Sequence, residues 1–263
     1  MNDLKITANG QEQSYNQKDY EQYRVDLYNK TKGNLEGYDC PLCNNRGDFG
    51  KLNEDTLVMD SVPCRCMKIR NSLRAIEKSG LSGVKDKLTF DSFESSTDWH
   101  KYIKDKATAF VKEDKWFYIG GQVGSGKTHI CTAVTISLFK KGKDGLYMLW
   151  RDETAKLKEA MYSDGYDSKI SKYKEAEVLY IDDFLKTSNK QPPSSADMNI
   201  AFEIINHRYI SRLTTVISSE WILPEVIGFD EATGSRIKEL TGEYLLTISK
   251  DSKKNYRNIN THQ

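Results

Sequence analysis

The 263-residue chain has no apolar run approaching the roughly 20 residues that a membrane-spanning helix requires. Its opening stretch is polar and lacks the apolar segment of a secretory leader. Both absences lead to the expectation of a cytoplasmic protein with no membrane partner. An excess of one charge is missing too: Lys and Arg number 39, Asp and Glu 38, and the formal net charge is +1. With no global basic field, any nucleic-acid binding has to come from a local patch. Internal repeats and low-complexity tracts are also lacking. What is present is 29% charged and 38% hydrophobic residues, the balance of a well-wetted globular protein. The length suits one ordinary domain and a smaller appendage.

Cysteine is scarce and unevenly spread. Of five, Cys40, Cys43, Cys64 and Cys66 share one short window, and Cys131 lies far away in a helical stretch where a small core residue is expected. In a reducing compartment such pairs favour metal over disulfide. Cys40-Pro-Leu-Cys43 has the knuckle spacing that lets two thiolates meet one tetrahedral ion, whereas Cys64-Arg-Cys66 is tighter and requires the chain to turn. Four thiolates around Zn²⁺ leave no open position, so such a site is structural. So small a window cannot build a good core, and the metal would largely fold it. Free buried thiols or a redox pair are the alternatives.

Tyr20, Tyr23, Arg24, Leu27 and Tyr28 recur at helical spacing before Gly33 and Gly37, which predicts an amphipathic helix. "MKIRNSLRAIEKSG" reads as a second helix stopped by Gly80. From residue 116 strand and helix alternate. The predicted strands are "WFYIG" (116–120), "LYMLW" (146–150), "VLYID" (178–182), "TTVIS" (214–218) and "YLLTIS" (244–249). Helices are expected over 127–141, from about 151 to 175, from the Ser194/Asp197 capping box to about 212, and over "DEATGSRIKEL". Short apolar strands separated by helices argue for an α/β fold with a mainly parallel sheet covered on both faces.

Gly121-x-x-x-x-Gly126-Lys127-Thr128 follows a predicted strand and opens a predicted helix, as a Walker A loop must. Glycines let backbone N–H groups turn inward around phosphate oxygens, and the helix N-terminus adds partial positive charge. Gly121, Gly124, Ser125, Gly126, Lys127 and Thr128 are therefore candidate ATP or ADP contacts, with Lys127 reaching the β- and γ-phosphates and Thr128 ligating Mg²⁺. "EVLYIDD" supplies the Walker B partner. Asp182 is placed to hold the Mg²⁺ water shell and Asp183 to orient or deprotonate the attacking water. Asp183 is one methylene shorter than the glutamate many ATPases carry there, which predicts slow hydrolysis. His129, directly after Thr128, joins the nucleotide set by position, although the helix is expected to turn it away as a packed or capping side chain. His100, His207 and His262 have no partner pattern.

With these motifs in place, the chain resembles the DnaC/IstB-like group of AAA+ ATPases, and within it the DnaC-type helicase loaders, phage members in particular. The likeness is carried by "TFDSF" (89–93), "GQVGSGKTHI", "YMLWRDE", "VLYIDDF", "FEIINHRYISRLTTVISSEW" and "GSRIKEL", and by the cysteine window, over about residues 38–250. It implies a P-loop AAA+ (RecA-like) domain over residues 81–263, preceded by a small helical and zinc-binding, helicase-docking domain over residues 1–80. ATP or ADP, Mg²⁺ and Zn²⁺ are the implied cofactors. A hexameric replicative helicase, single-stranded DNA and further copies of the chain are the implied partners. The resemblance makes Arg236 in "GSRIKEL" an arginine finger and puts Ser219, among Ser218, Ser219 and Glu220, at the γ-phosphate or its water. Arg208 in "NHRY" either faces a subunit interface or is a salt-bridged helix arginine. Arg151, Lys156 and Lys158 are candidate DNA contacts or simply a solvated face. Two rival readings stand beside the loader. One is the ATPase helper of a transposase, against which the cysteine module argues because such helpers generally lack one. The other is a zinc-bearing adaptor with a vestigial ATPase, which the unusual "ISSE" keeps open.

Overall fold

The computed structural model describes residues 4–8, 11–78, 88–113, 115–161, 163, 165–188 and 191–255. The chain divides into two compact units, Met1–Asn71 and Ser72–Gln263. Gly80, the expected boundary at residues 80 and 81, and His262 lie outside the described residues.

In the first unit, strands β1 (Leu4–Ala8) and β2 (Gln11–Tyr15) pair antiparallel ahead of helix α1 (Gln17–Lys30). Asn16 caps α1 by accepting the Asp19 amide at 2.9 Å. The helix forms where the spacing predicts, but its expected apolar face is not what holds it. Val25 is its buried residue, while Tyr23 and Leu27 are 51% and 54% exposed. Polar contacts fasten it instead to the hairpin of β3 (Asp48–Leu52) and β4 (Met59–Pro63). Tyr28 donates to Asp48 Oδ2 at 2.7 Å, and Asn29 brackets Gly50, accepting from its N–H at 2.8 Å and donating to its carbonyl at 3.0 Å. Helix α2 (Cys66–Lys78) carries the division between the units, at Asn71 and Ser72.

Past α2, the second unit continues with α3 (Asp98–Phe110), which the sequence reading leaves unassigned, and then alternates strand with helix, the helical stretch expected from about 151 to 175 being two helices. Its strands are β5 (Trp116–Gly121), β6 (Gly145–Leu149), β7 (Val178–Asp182), β8 (Thr214–Ser219) and β9 (Leu245–Ile248). They form one parallel sheet in the order β6-β7-β8-β5-β9. Every residue of β5, β7 and β8 is buried, which is why their sequences run apolar without alternating. Connecting them are α4 (Lys127–Lys140), α5 (Trp150–Ala160), α6 (Tyr166–Glu175), α7 (Ser195–Ile210), α8 (Leu223–Phe229) and α9 (Glu231–Thr241). Trp150 opens α5 rather than ending β6, and its buried ring packs edge-on to Phe184 at 4.9 Å. The Ser194/Asp197 capping box starts α7. No described helix is long and apolar enough to cross a membrane.

Arg208 on α7 pairs with no carboxylate among the described residues and does not face outward. It is fully buried, donating to the carbonyls of Tyr173 (3.0 Å), Lys174 (3.3 Å), Ala176 (2.7 Å) and Thr214 (2.6 Å) and to Thr215 Oγ1 (2.9 Å). Burial pulls its guanidinium down to about 9. The fork closes the C-terminal end of α6 against the start of β8. Arg208→Ala strands those carbonyls away from water, so a loss on the order of 3 kcal/mol is expected in urea unfolding. A loss below about 0.5 kcal/mol, the surface-substitution range, would contradict this account.

Candidate nucleotide and zinc sites

Where β5 meets α4, the backbone turns through three left-handed glycines: Gly121 (φ +117°), Gly124 (φ +72°) and Gly126 (φ +83°). A Cβ on Gly121 would stand 2.0 Å from the Ile248 carbonyl of β9, so no other residue fits there. Ser125 Oγ donates to the Gln122 carbonyl at 2.7 Å and shapes the loop. The buried Lys127 folds back over it, donating to the carbonyls of Gly121 (3.0 Å) and Gln122 (2.5 Å). Burial pulls its ammonium down to about 8, against the opposing charges of Glu220, Asp183 and Asp182. The segment after β9 is tied to the same loop. Gln122 N–H donates to the Ile248 carbonyl, and its Oε1 accepts the Asp251 N–H, both at 3.1 Å.

Thr128 Oγ1 donates to Asp182 Oδ1 at 3.1 Å, which joins the Walker A and Walker B segments directly. Asp182 is buried, and burial pushes its carboxyl up while the Ser218, Tyr180 and Tyr147 hydroxyls oppose that push. Asp183 sits in the left-handed region at φ +56° and pairs with Lys186 at 2.8 Å. Lys186 is shared with Glu220 at 3.0 Å, and the two carboxylates outweigh burial to raise its ammonium. Ser219 is turned into the fold: its hydroxyl donates to the Phe184 carbonyl at 2.7 Å and accepts the Trp221 N–H at 3.1 Å. Its neighbour Ser218 is the one that meets Asp182.

His129 Nε2 lies 2.9 Å from the Thr89 carbonyl, and its ring meets Phe93 edge-on at 5.2 Å, so this histidine pins "TFDSF" to the P-loop helix. Burial lowers its pKa. Arg236 is not brought to the Lys127–Asp182 cluster. Its guanidinium donates to the Ala232 carbonyl at 2.7 Å and lies over the Phe202 and Tyr209 rings at 5.3 and 5.5 Å. Of the basic residues on α5, Lys156 pairs with Glu153 and Lys158 with Asp197, both at 2.6 Å, and Arg151 is exposed. The sequence reading does not single out Tyr147, Tyr180 or Lys186. Tyr180 was legible, since two residues before Asp182 on a strand means the same face. Tyr147 depends on the β6–β7 register, which no local pattern reveals.

In the first unit, Cys40, Cys43, Cys64 and Cys66 are buried with their sulfurs all within 4.8 Å of one another. Cys40 and Cys64 are 3.8 Å apart and Cys43 and Cys66 3.5 Å apart. A tetrahedron with Zn–S bonds of about 2.3 Å has edges of about 3.8 Å, so the set fits zinc. Asn44 (φ +46°), Asn45 (φ +63°) and Gly47 (φ +92°) supply the left-handed turn that bends the knuckle back. Burial opposes the Cys43 thiolate, but the Gly47 N–H at 3.3 Å and the neighbouring thiols outweigh it and bring it down to about 7. Arg70 of α2 donates to the Glu36 and Tyr38 carbonyls and to Asn45 Oδ1, bracing the knuckle from behind.

Glycines that admit no side chain, a buried ammonium, and a hydroxyl–carboxylate pair of hard oxygen donors together fit a triphosphate and Mg²⁺. Residues 58–226 match the family described as IstB-like ATP binding protein. The chain belongs to this family. Among relatives of this IstB-like chain, YqaM of Bacillus subtilis (strain 168) is 30% identical over 203 residues, 73% of this chain and 64% of YqaM. The chain thus matches just under two thirds of that relative's length. The phage-like element PBSX protein XkdC of the same organism is 27% identical over 229 residues, 80% of the IstB-like chain and 82% of XkdC. In fold it is similar to the DnaC helicase loader, with a TM-score of 0.52 and 21% identity over 62% of this chain and 97% of that one. The parallel sheet with its P-loop thus shares the fold of that loader, as the resemblance implied.

Proposed function

We propose that the chain is an ATP-dependent loader that places a replicative DNA helicase on single-stranded DNA. The observation that carries this reading is the joining, in one chain, of a P-loop unit to a separate four-cysteine unit. In this reading residues 1–80 dock on the hexameric helicase, with zinc on Cys40, Cys43, Cys64 and Cys66 holding the docking surface in shape. Residues 81–263 bind ATP or ADP and associate with copies of themselves. Gly121, Gly124, Ser125, Gly126 and Lys127 grip the phosphates, and Thr128 and Asp182 hold Mg²⁺, which when bound offsets charge on the phosphoryl oxygens. Asp183 orients the attacking water once Lys186 lets it go. Arg236 reaches a neighbouring copy's nucleotide, so ATP bridges two subunits and its hydrolysis loosens them. Likeness of fold to the DnaC helicase loader, and kinship with a phage-element protein, support the assignment.

Co-elution with the hexameric helicase of the same genome, stronger with ATP than without, is the expected result. Absence of a complex at micromolar concentrations of both proteins counts against the loader. A transposase-helper role is the second reading, favoured by the family match itself. It predicts ATP-dependent co-elution with a transposase instead.

A further inference from the structure

Asp182 carries more hydrogen bonds than joining the two Walker segments requires. Its Oδ1 accepts from Thr128 Oγ1 at 3.1 Å, Tyr180 OH at 2.8 Å and Ser218 Oγ at 2.5 Å, and its Oδ2 accepts from Tyr147 OH at 3.0 Å. A carboxylate offers about four acceptor sites, so four donors, three of them on Oδ1, are an unusually full set. The two tyrosines are the unexpected members. Tyr147 on β6 and Tyr180 on β7 are register partners, 7% and 0% exposed, with rings edge-on at 5.3 Å. A sheet covered on both faces is ordinarily filled by Val, Ile, Leu and Phe, because a tyrosine there has to find an acceptor for its O–H. Here both hydroxyls go to one carboxylate, one to each oxygen. Donors on both oxygens fix the rotation of the carboxylate plane. They also favour the ionised form in a place where burial opposes it.

Resting on the nucleotide-site reading above, we propose that Tyr147 and Tyr180 are positioning residues for the divalent cation, holding the Asp182 carboxylate in the orientation that faces Thr128. Neither tyrosine touches the metal or the nucleotide in this arrangement; both act through Asp182. A purely packing role makes a different prediction, since phenylalanine would then serve equally well.

The test uses the full chain and a fluorescent N-methylanthraniloyl-ATP, titrated with Mg²⁺ and, separately, bound in EDTA. For Tyr147→Phe/Tyr180→Phe the half-saturating Mg²⁺ is expected to rise about tenfold, the combined scale of two lost net hydrogen bonds, with affinity in EDTA unchanged. If the double variant does not fold, Tyr147→Phe alone on the edge strand β6 is expected to give a rise of about threefold, the scale of a weaker net hydrogen bond. Half-saturating Mg²⁺ equal to that of the unaltered protein overturns the proposal. A rise matched by an equal loss in EDTA also overturns it, because that is general loosening. Nucleotide binding by the unaltered chain that ignores Mg²⁺ overturns this inference alone, whereas no nucleotide binding at all overturns the nucleotide site with it.

Discussion

Lys127→Ala is expected to weaken ATP binding by on the order of 10²- to 10³-fold, because in the proposed site two charge-assisted hydrogen bonds, one to the β- and one to the γ-phosphate, are lost together. The same change should cost the fold little. In the free protein Lys127 is buried with its ammonium pulled down to about 8, and its donors rest on the Gly121 and Gln122 carbonyls. Removing a desolvated cation relieves a penalty, and the Ser125 bond to Gln122 still shapes the loop. Affinity and stability are thus expected to separate. Calorimetric titration with Mg-ATP, read beside a thermal melt, checks both. Affinity within a few-fold of the unaltered chain would mean that the phosphates lie elsewhere, while a collapsed melting temperature would mean that the lysine is structural.

The second large effect is expected in the other unit. Among residues 16–71, the buried hydrophobic side chains apart from the four cysteines are Val25, Leu52 and Ile69. So small a core cannot offset the backbone entropy of ordering the chain, and α1 is fastened mainly through polar contacts. Structural zinc contributes about 10–16 kcal/mol in small modules of this kind. Cys43→Ser, or a strong chelator, should therefore unfold Met1–Asn71 while the P-loop unit keeps its nucleotide affinity. One zinc per chain, lost in the variant, is the expected metal analysis. Rapid proteolysis confined to the first unit is the expected structural readout. An unchanged digestion pattern after complete zinc removal would show that the polar contacts suffice.

The P-loop unit was largely legible because its signals are local. "WFYIGG" and "VLYID" run apolar because both sheet faces are covered, and the glycine–lysine–threonine spacing announces the loop between strand and helix. The four cysteines gathered as their spacing suggested. Other features were less accessible. Helix α3 buries Ile103, Ala107 and Phe110 at helical spacing, a readable pattern diluted by lysines, and α8 spans only seven residues. The hairpin of β3 and β4 shows no hydrophobic alternation in its sequence, and Leu52 is the one apolar side chain of its two strands that is buried. Whether Ser218 or Ser219 faces Asp182 is a matter of strand phase, which a one-residue step inverts. Arg208 reads as a surface helix cation because nothing in "NHRY" tells that carbonyls from two other segments converge on it.

The tether between Gln122 and the residues after β9 has a mechanical consequence. Gln122 grips that strand end twice, through its own amide and through its side chain, so the loop backbone cannot be reshaped without breaking those bonds or dragging residues 248–251 along. Asn255 lies against Gly124 at the far end of the same stretch. A dye or spin label placed near Lys253 would therefore act as a gauge of loop occupancy, read at a distance from the phosphates themselves.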